Sequence, residues 1–97
     1  MLSLRKICAV LGQRHSMEIV NYLRCGKDKH MKQISEETGI SYTTVQKRIA
    51  DMERAGIVTT YDDVSRRTGK RVKMVHGKEF KHMLSPLTIK EYLEAEK

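Results

Sequence analysis

Apolar residues recur at helical spacing through most of the first 56 positions. Spacings of three and four residues predict amphipathic helices. The predicted helices cover residues 2–12, 15–25, about 31–38 and 41–55. Ser16 and Ser41 are the expected N-caps of the second and fourth helices. In the fourth helix, Val45, Ile49 and Met52 form the stripe that we expect to face the core.

The pattern changes after Gly56. Residues 57–61 are mostly β-branched and end in a tyrosine, and residues 71–75 alternate between polar and apolar side chains. Both patterns favour β-strands. The intervening loop contains a turn-like Thr68–Gly69 step, so the sequence predicts a β-hairpin. Residues 27–30, KDKH, are predicted to form a charged loop.

Helical spacing returns after Gly77. Two apolar sets follow, and they comprise Phe80, Met83 and Leu84, then Leu87, Ile89, Tyr92 and Leu93. Pro86 leaves open whether residues 78–96 form one kinked helix or two short ones. Either Ser85 or the Thr88 and Glu91 pair is expected to cap the last helix. The predicted fold is mostly α with a small β-hairpin, in the order of four helices, hairpin and fifth helix.

The chain length and the net charge limit the kinds of function that the protein can have. The 97 residues correspond to one domain with a modest core. The formal net charge of +7 favours a polyanion or an anionic surface as partner. No apolar run approaches the roughly 18 residues of a membrane span, and the N-terminus lacks the features of a signal peptide. We therefore expect a cytoplasmic protein.

Metal binding and catalysis find little support in the sequence. Cys8 and Cys25 have no Cys or His at metal-ligand spacing. We interpret Cys8 as a small buried apolar residue of the first helix; a disulfide and redox sensing are the alternatives. The four histidines are scattered, and there is no nucleophile motif or glycine-rich phosphate loop. We expect no metal, no cofactor and no enzymatic activity.

The fourth helix opens with polar residues that suit contact with DNA. These residues are Ser41, Tyr42, Thr43 and Thr44, followed one position later by Gln46 and Lys47. Hydroxyls and free N–H groups at a helix N-terminus bind phosphate well. Gln46 matches adenine, and Lys47 matches guanine or a phosphate. The alternative is a merely solvated polar face. Arg48 neighbours the apolar stripe, so the sequence leaves open whether it is structural or contacts DNA.

The tip of the predicted hairpin is strongly basic. Its cations are Arg66, Arg67, Lys70 and Arg71. Such a tip can follow a phosphate backbone or insert arginine into a narrow minor groove. Asp62 and Asp63 precede the tip and oppose DNA binding locally, unless they pair with the arginines and shape the turn.

A helix, a glycine-containing turn and a second helix form a helix-turn-helix, and the hairpin after it would be the wing of a winged helix. The segment ISEETGISYTTVQKRIADMERAGIV at 34–58 resembles the winged-helix regulators of the ArsR type and their archaeal relatives. The resemblance extends over residues 11–75. It implies a winged helix-turn-helix fold, a homodimer and double-stranded operator DNA. The paired cysteines of the metal-sensing members are missing from residues 31–38, so metal sensing is not implied.

The first and last helices lie outside the helix-turn-helix. Their apolar stripes, at residues 2–12 and about 78–96, either cover the core of a monomer or pack against a second copy. We expect a homodimer, as the resemblance implies. The working hypothesis is a sequence-specific regulator that places residues 41–55 in the major groove and the wing, residues 62–73, on backbone or minor groove. A protein-interaction adaptor and a non-specific architectural DNA binder are the alternatives.

Overall fold

The computed structural model describes residues 4–81 and 84–96. Within these two ranges, five helices and three short strands follow one another. They are α1 (Leu4–Leu11), α2 (Ser16–Leu23), β1 (Lys29–His30), α3 (Met31–Thr38), α4 (Tyr42–Ala55), β2 (Val58–Val64), β3 (Arg71–Gly77) and α5 (Pro86–Ala95). The predicted order of four helices, a hairpin and a fifth helix is confirmed.

The core lies between the helices α1 to α4 and the base of the sheet. Its most deeply buried apolar side chains come from four different elements and from the loop before β2, and they are Ile19, Ile34, Val45, Ile49, Met52, Ile57 and Val75. The stripe predicted for α4 is therefore confirmed, since Val45, Ile49 and Met52 are all fully buried. Burying an aliphatic side chain of this size contributes about 1.5–3 kcal/mol, so α4 is firmly held.

The sheet has one strand more than expected. β1 pairs with β3, which also pairs with β2, and both pairings are antiparallel. The prediction of a loop for residues 27–30 is thus wrong at Lys29 and His30. Two residues are too few for a periodic pattern, and this strand exists because β3 offers a free edge. The hairpin arms, Val58–Val64 and Arg71–Gly77, also extend beyond the predicted segments.

The start of α2 differs from the prediction. His15, in the left-handed conformation at φ 71°, precedes the helix and makes no side-chain cap. Ser16 is the first helical residue rather than the N-cap, and its hydroxyl is buried without a hydrogen-bond partner among the described residues. The helix begins here because the tight turn from Gln13, whose carbonyl accepts from the Ser16 amide, fixes the chain direction.

The side of α1 that faces the core also differs from the prediction. Cys8 is exposed, whereas Ile7 and Val10 are buried. The predicted burial of Cys8 is therefore wrong, because α1 turns Ile7 and Val10 toward the core instead.

The C-terminal region contains one helix, and it starts at Pro86. Residues 78–81 are not helical, although Phe80 packs against the core; Met83 lies outside the described residues. Ser85 is the N-cap of α5, which confirms one of the two predicted alternatives. Its hydroxyl accepts a hydrogen bond from the Thr88 amide, and its own amide donates to the Thr88 hydroxyl. No residue of α5 is buried, so this helix stands apart from the core.

Candidate nucleic-acid interface

The turn between α3 and α4 fixes the position of the α4 N-terminus. Gly39 ends α3 at φ 76°, a backbone conformation that glycine adopts without steric cost. The hydroxyl of Ser35 donates to the carbonyl of Ile40 (2.6 Å), and the amide of Ile40 donates to the Thr38 hydroxyl (3.3 Å). These bonds satisfy the backbone groups of the turn and set the direction in which α4 leaves it.

Ser41 is the N-cap of α4, as predicted. Its hydroxyl accepts from the Thr44 amide (3.3 Å) and lies 2.8 Å from the Thr44 hydroxyl. Such a cap typically contributes about 1 kcal/mol to helix stability. Two of the predicted contact residues therefore also organise the helix end. Thr44 is half-buried, whereas Ser41 is exposed.

The remaining predicted residues of α4 lie on its exposed face. Tyr42, which is 46% exposed, and the exposed Thr43, Gln46 and Lys47 have no hydrogen-bond or ionic partner among the described residues. The opposite face of the same helix carries the fully buried stripe. The N-terminal half of α4 thus presents unpaired polar groups on a rigid support.

Arg48 has a structural role in this arrangement. Its Nε donates to the carbonyl of Arg14 (2.8 Å), which ties α4 to the turn between α1 and α2. Its guanidinium also lies 3.8 Å from the carboxylate of Asp51, which pairs with Arg54 as well. Asp51 of α4 is therefore paired with two arginines of the same helix. Of the two roles that the sequence left open for Arg48, the structure thus shows the structural one.

The wing tip is a closed turn. The amide of Ser65 donates to the carbonyl of Lys70, and the amide of Gly69 donates to the carbonyl of Ser65, each at 2.8 Å. The four predicted cations are all exposed on or beside this turn, and they are Arg66, Arg67, Lys70 and Arg71. Within residues 4–81 and 84–96, none of the four has an acidic partner. The tip therefore carries four uncompensated positive charges.

The two aspartates of the wing do not pair with its arginines. Asp63 accepts a hydrogen bond from the Val64 amide (2.8 Å), and Asp62 stands opposite Lys73 in the strand register. Neither makes an ion pair with a wing arginine among the described residues. The interpretation in which these aspartates shape the turn through arginine pairs is wrong, because the turn is closed by backbone bonds instead.

A network at the base of the wing was not predicted. The carboxylate of Asp28, in the loop before β1, accepts from the Tyr61 hydroxyl and lies 2.7 Å from Nδ1 of His76. The Tyr61 hydrogen bond, and then His76, hold the pKa of Asp28 below its usual value, and the same bond raises the pKa of Tyr61. These residues are 33 and 48 positions apart, so no local pattern reveals them.

The described part of the chain offers neither a metal site nor a membrane-spanning helix. There, no group of three or more His, Cys, Asp or Glu side chains is arranged to hold a metal ion. Of the helices that the structure describes, none is both long and apolar enough to cross a bilayer. The polar face of α4 and the basic wing are therefore the two candidate binding surfaces of the described structure.

The comparisons with known proteins agree with this geometry. Residues 14–59 match the family model of winged helix-turn-helix DNA-binding domains. No curated protein sequence matches the chain significantly. A possible transcriptional regulator from Methanosarcina mazei Go1 has a similar structure, with a TM-score of 0.61 and 12% identity over 91% of this chain and 69% of the other.

A transcriptional regulator homologue from Pyrococcus horikoshii OT3 is also similar. Its TM-score is 0.63 and its identity 21%, over 90% of this chain and 80% of the other. At such identities the likeness establishes the fold alone. The chain has a winged-helix fold, with α3 and α4 as the helix-turn-helix and β2 and β3 as the wing.

Proposed function

We propose that this protein is a homodimeric, sequence-specific transcription regulator that binds double-stranded DNA. In this proposal α4 enters the major groove, and the wing, residues 62–73, lies on the phosphate backbone or in the minor groove. The match of residues 14–59 to a DNA-binding family model supports it, as do structural neighbours named as transcriptional regulators. The proposal includes no catalytic step, metal or cofactor.

The two-sided arrangement of α4 is the observation that carries the proposal. Tyr42, Thr43, Gln46 and Lys47 are exposed and unpaired among the described residues, while the other face of the helix is fixed in the core. A recognition helix needs this combination, because base-edge contacts require side chains held in register on a rigid support. Ser41 and Thr44, at the helix N-terminus, are assigned to the phosphate backbone.

The wing supplies the second contact. The turn at its tip presents Arg66, Arg67, Lys70 and Arg71 without neutralising acids in the described structure. Each cation that neutralises a phosphate releases counterions, so affinity should fall as salt concentration rises. The Asp28, Tyr61 and His76 network ties the base of the wing to the loop before β1 and limits the orientations that the hairpin can adopt.

We further propose that residues 1–97 form one domain. We assign this domain to the ArsR-like type, of archaeal or viral character. This assignment rests on the resemblance of the segment 34–58 to that type. The protein would act in the cytoplasm, on nucleoid or viral DNA. Because the described α3 carries no cysteine pair, the proposed regulator does not sense metal through that helix.

The homodimer is proposed from surfaces that the monomer leaves uncovered. Helix α5 buries nothing, and the radius of gyration of 15.2 Å exceeds the roughly 12.5 Å expected for a compact domain of this length. The predicted interface comprised residues 2–12 and 78–96; in the structure its helical parts are α1 and α5. A two-fold dimer would place two α4 helices about one helical turn of DNA apart, roughly 34 Å.

An unbiased selection of bound sequences with the purified protein tests this proposal. A pseudo-palindromic site with half-sites about 10 base pairs apart is expected. DNA binding without any preferred sequence would favour the architectural alternative. Absence of DNA binding at low salt would favour the adaptor and overturn the proposal.

A further inference from the structure

An open groove of about 860 Å³ lies between α2 and the chain segment that follows β3. Its volume falls within the range of roughly 300–1,000 Å³ that is usual for sites that bind small molecules. The apolar part of its lining comes from α1, α2, the start of β2 and the segment after β3, and it includes Leu11, Met17, Val20, Val58 and Phe80. Met17 is 64% exposed, so this apolar surface is open to a ligand from solvent.

Helix α2 presents one face to the groove, and the polarity of this face changes along the helix. Met17, Val20 and Arg24 follow one another at the spacing of a single helical face. Over these positions the helix rises by about 10 Å. The groove therefore passes along α2 from an apolar part to a cationic part.

A second segment brings a further cation to the C-terminal end of α2. A Cβ atom placed on Gly77 would lie only 3.1 Å from Cβ of Leu23, so the chain after β3 runs directly against this end of the helix. The residues that follow these two in the chain are Arg24 and Lys78, and both are exposed and line the groove. Two positive charges from different segments thus border the same part of the groove.

The positive charge of the groove is not compensated within the described structure. The lining carries three cations and one acid, so its net charge is +2, and these residues are Arg24, Lys78, Lys81 and Glu79. Within residues 4–81 and 84–96, none of the three cations forms an ion pair. An anionic ligand would gain charge-assisted contacts here, whereas a cationic ligand would be repelled.

We infer that this groove binds a medium-chain fatty acid. The alkyl chain lies along Met17 and Val20, where it covers apolar surface that is otherwise in contact with water. The carboxylate lies beside Arg24 and Lys78, which are free to pair with it. The bound acid also contacts Val58, the first residue of β2, and so reaches the base of the wing. This inference goes beyond the proposed function, because it requires neither DNA nor a dimer.

Binding of decanoate to the purified full chain tests the inference. Isothermal titration calorimetry, below the concentration at which micelles form, should detect decanoate binding. Octanoate should bind roughly tenfold more weakly, because two fewer CH₂ groups leave water. Decyltrimethylammonium, with the same chain and the opposite charge, should bind at least about tenfold more weakly than decanoate. In amide NMR spectra, decanoate should shift the signals of α2 and of residues 77–81.

Reversing the charge of the groove should reverse its preference between the two probes. The variant R24E/K78E should bind decanoate at least about tenfold more weakly than wild type and bind decyltrimethylammonium more tightly. The control K32E/K90E changes the net charge equally, outside the groove, and should keep the wild-type decanoate affinity. All four positions are exposed, so both variants should remain folded, which their melting temperatures check.

A second pair of variants tests the apolar part of the groove without any change of charge. Met17→Gln should weaken decanoate binding by roughly fivefold, because less apolar surface is covered. Leu87→Gln, at a position of α5 that is 63% exposed, removes an equally accessible apolar side chain outside the groove and should leave the decanoate affinity unchanged.

Four outcomes would overturn the inference. The first is that decanoate does not bind. The second is equal binding of decanoate and decyltrimethylammonium, which would reduce the groove to an apolar patch. The third is that decanoate shifts amide signals outside the groove. In the fourth, the groove signals respond to protein concentration and not to decanoate, which would assign the groove to a second copy of the chain. The selection of DNA sites is measured separately, so none of these outcomes decides the proposed function.

Discussion

Helices α4 and α5 differ in what they do with their apolar residues. Both begin at a serine N-cap, but α4 buries Val45, Ile49, Met52 and Ala55, whereas α5 buries none of its residues. Helix α4 lies between α3 and β2 in the chain. The short connections at Gly39 and Gly56 keep it next to these elements and to the core. Helix α5 follows the sheet and makes few contacts with it. Thus the hydrophobic pattern specifies a helix, and the neighbouring elements decide whether its apolar face is covered.

The exposed faces of the two helices also differ. On α4 the exposed face is polar and carries Thr43, Gln46 and Lys47, which suits a nucleic acid. On α5 it includes Leu87 and Leu93, which suit another protein surface. The contrast agrees with the two partners that we propose for these helices: DNA for α4 and a second protomer for α5.

The largest expected effect concerns the buried face of α4. Ile49→Ala should lower the free energy of unfolding by about 2–5 kcal/mol, because it removes a fully buried side chain and leaves a cavity. Leu93→Ala, on the exposed face of α5, should cost under about 0.5 kcal/mol in the monomer. Urea unfolding at protein concentrations below the dimer dissociation constant measures both. Equal losses for the two variants would contradict the contrast between the helices.

A smaller effect is expected at the wing, which shares the DNA surface with α4. The double variant Arg66→Ala and Arg67→Ala should reduce the slope of log affinity against log salt by about 1.8, because two phosphate contacts are lost. Lys90→Ala removes a positive charge from α5 and should leave the slope unchanged. Fluorescence anisotropy over a salt series provides the measurement. An unchanged slope for the wing variant would remove the wing from the DNA interface.

The smallest effect concerns the base of the wing. In the folded protein the Tyr61 and His76 contacts lower the pKa of Asp28 from its ordinary value of 3.8. The ionised Asp28 carboxylate therefore stabilises the folded protein fully at pH values well above 3.8. This contribution is lost as the pH falls through the folded-state pKa of Asp28. Asp28→Asn should unfold at a lower urea concentration than wild type at pH 7, and the difference between the two proteins should shrink as the pH falls. Asp62→Asn serves as the control, and a difference that persists unchanged at pH 3 would contradict this role.

The sequence predicted α4 and its preceding turn well because the signals there are local. Ser41, the stripe from Val45 to Met52 and the glycines at both ends all lie within 18 residues. The wing was predicted for a similar reason, although its strands extend further than their apolar residues indicate. Local propensity and tertiary packing agree in this part of the chain.

The features that the sequence did not predict depend on distant contacts. Cys8 was placed in the core because a stripe does not fix how a short helix rotates against its neighbours, and β1 forms only because β3 is beside it. The Asp28, Tyr61 and His76 network joins three separate segments. Which α4 residues contact DNA follows from exposure and chemistry, and it stays a prediction until a complex is measured.

The central claim is that the exposed face of α4 reads DNA sequence, and the ratio of specific to non-specific affinity tests it most directly. Gln46→Ala and Lys47→Ala should each lower the affinity for the selected site, relative to a scrambled duplex, by about 5-fold to 150-fold, since one base contact contributes about 1–3 kcal/mol. Their melting temperatures should match that of wild type. An unchanged affinity ratio in both variants would contradict the account.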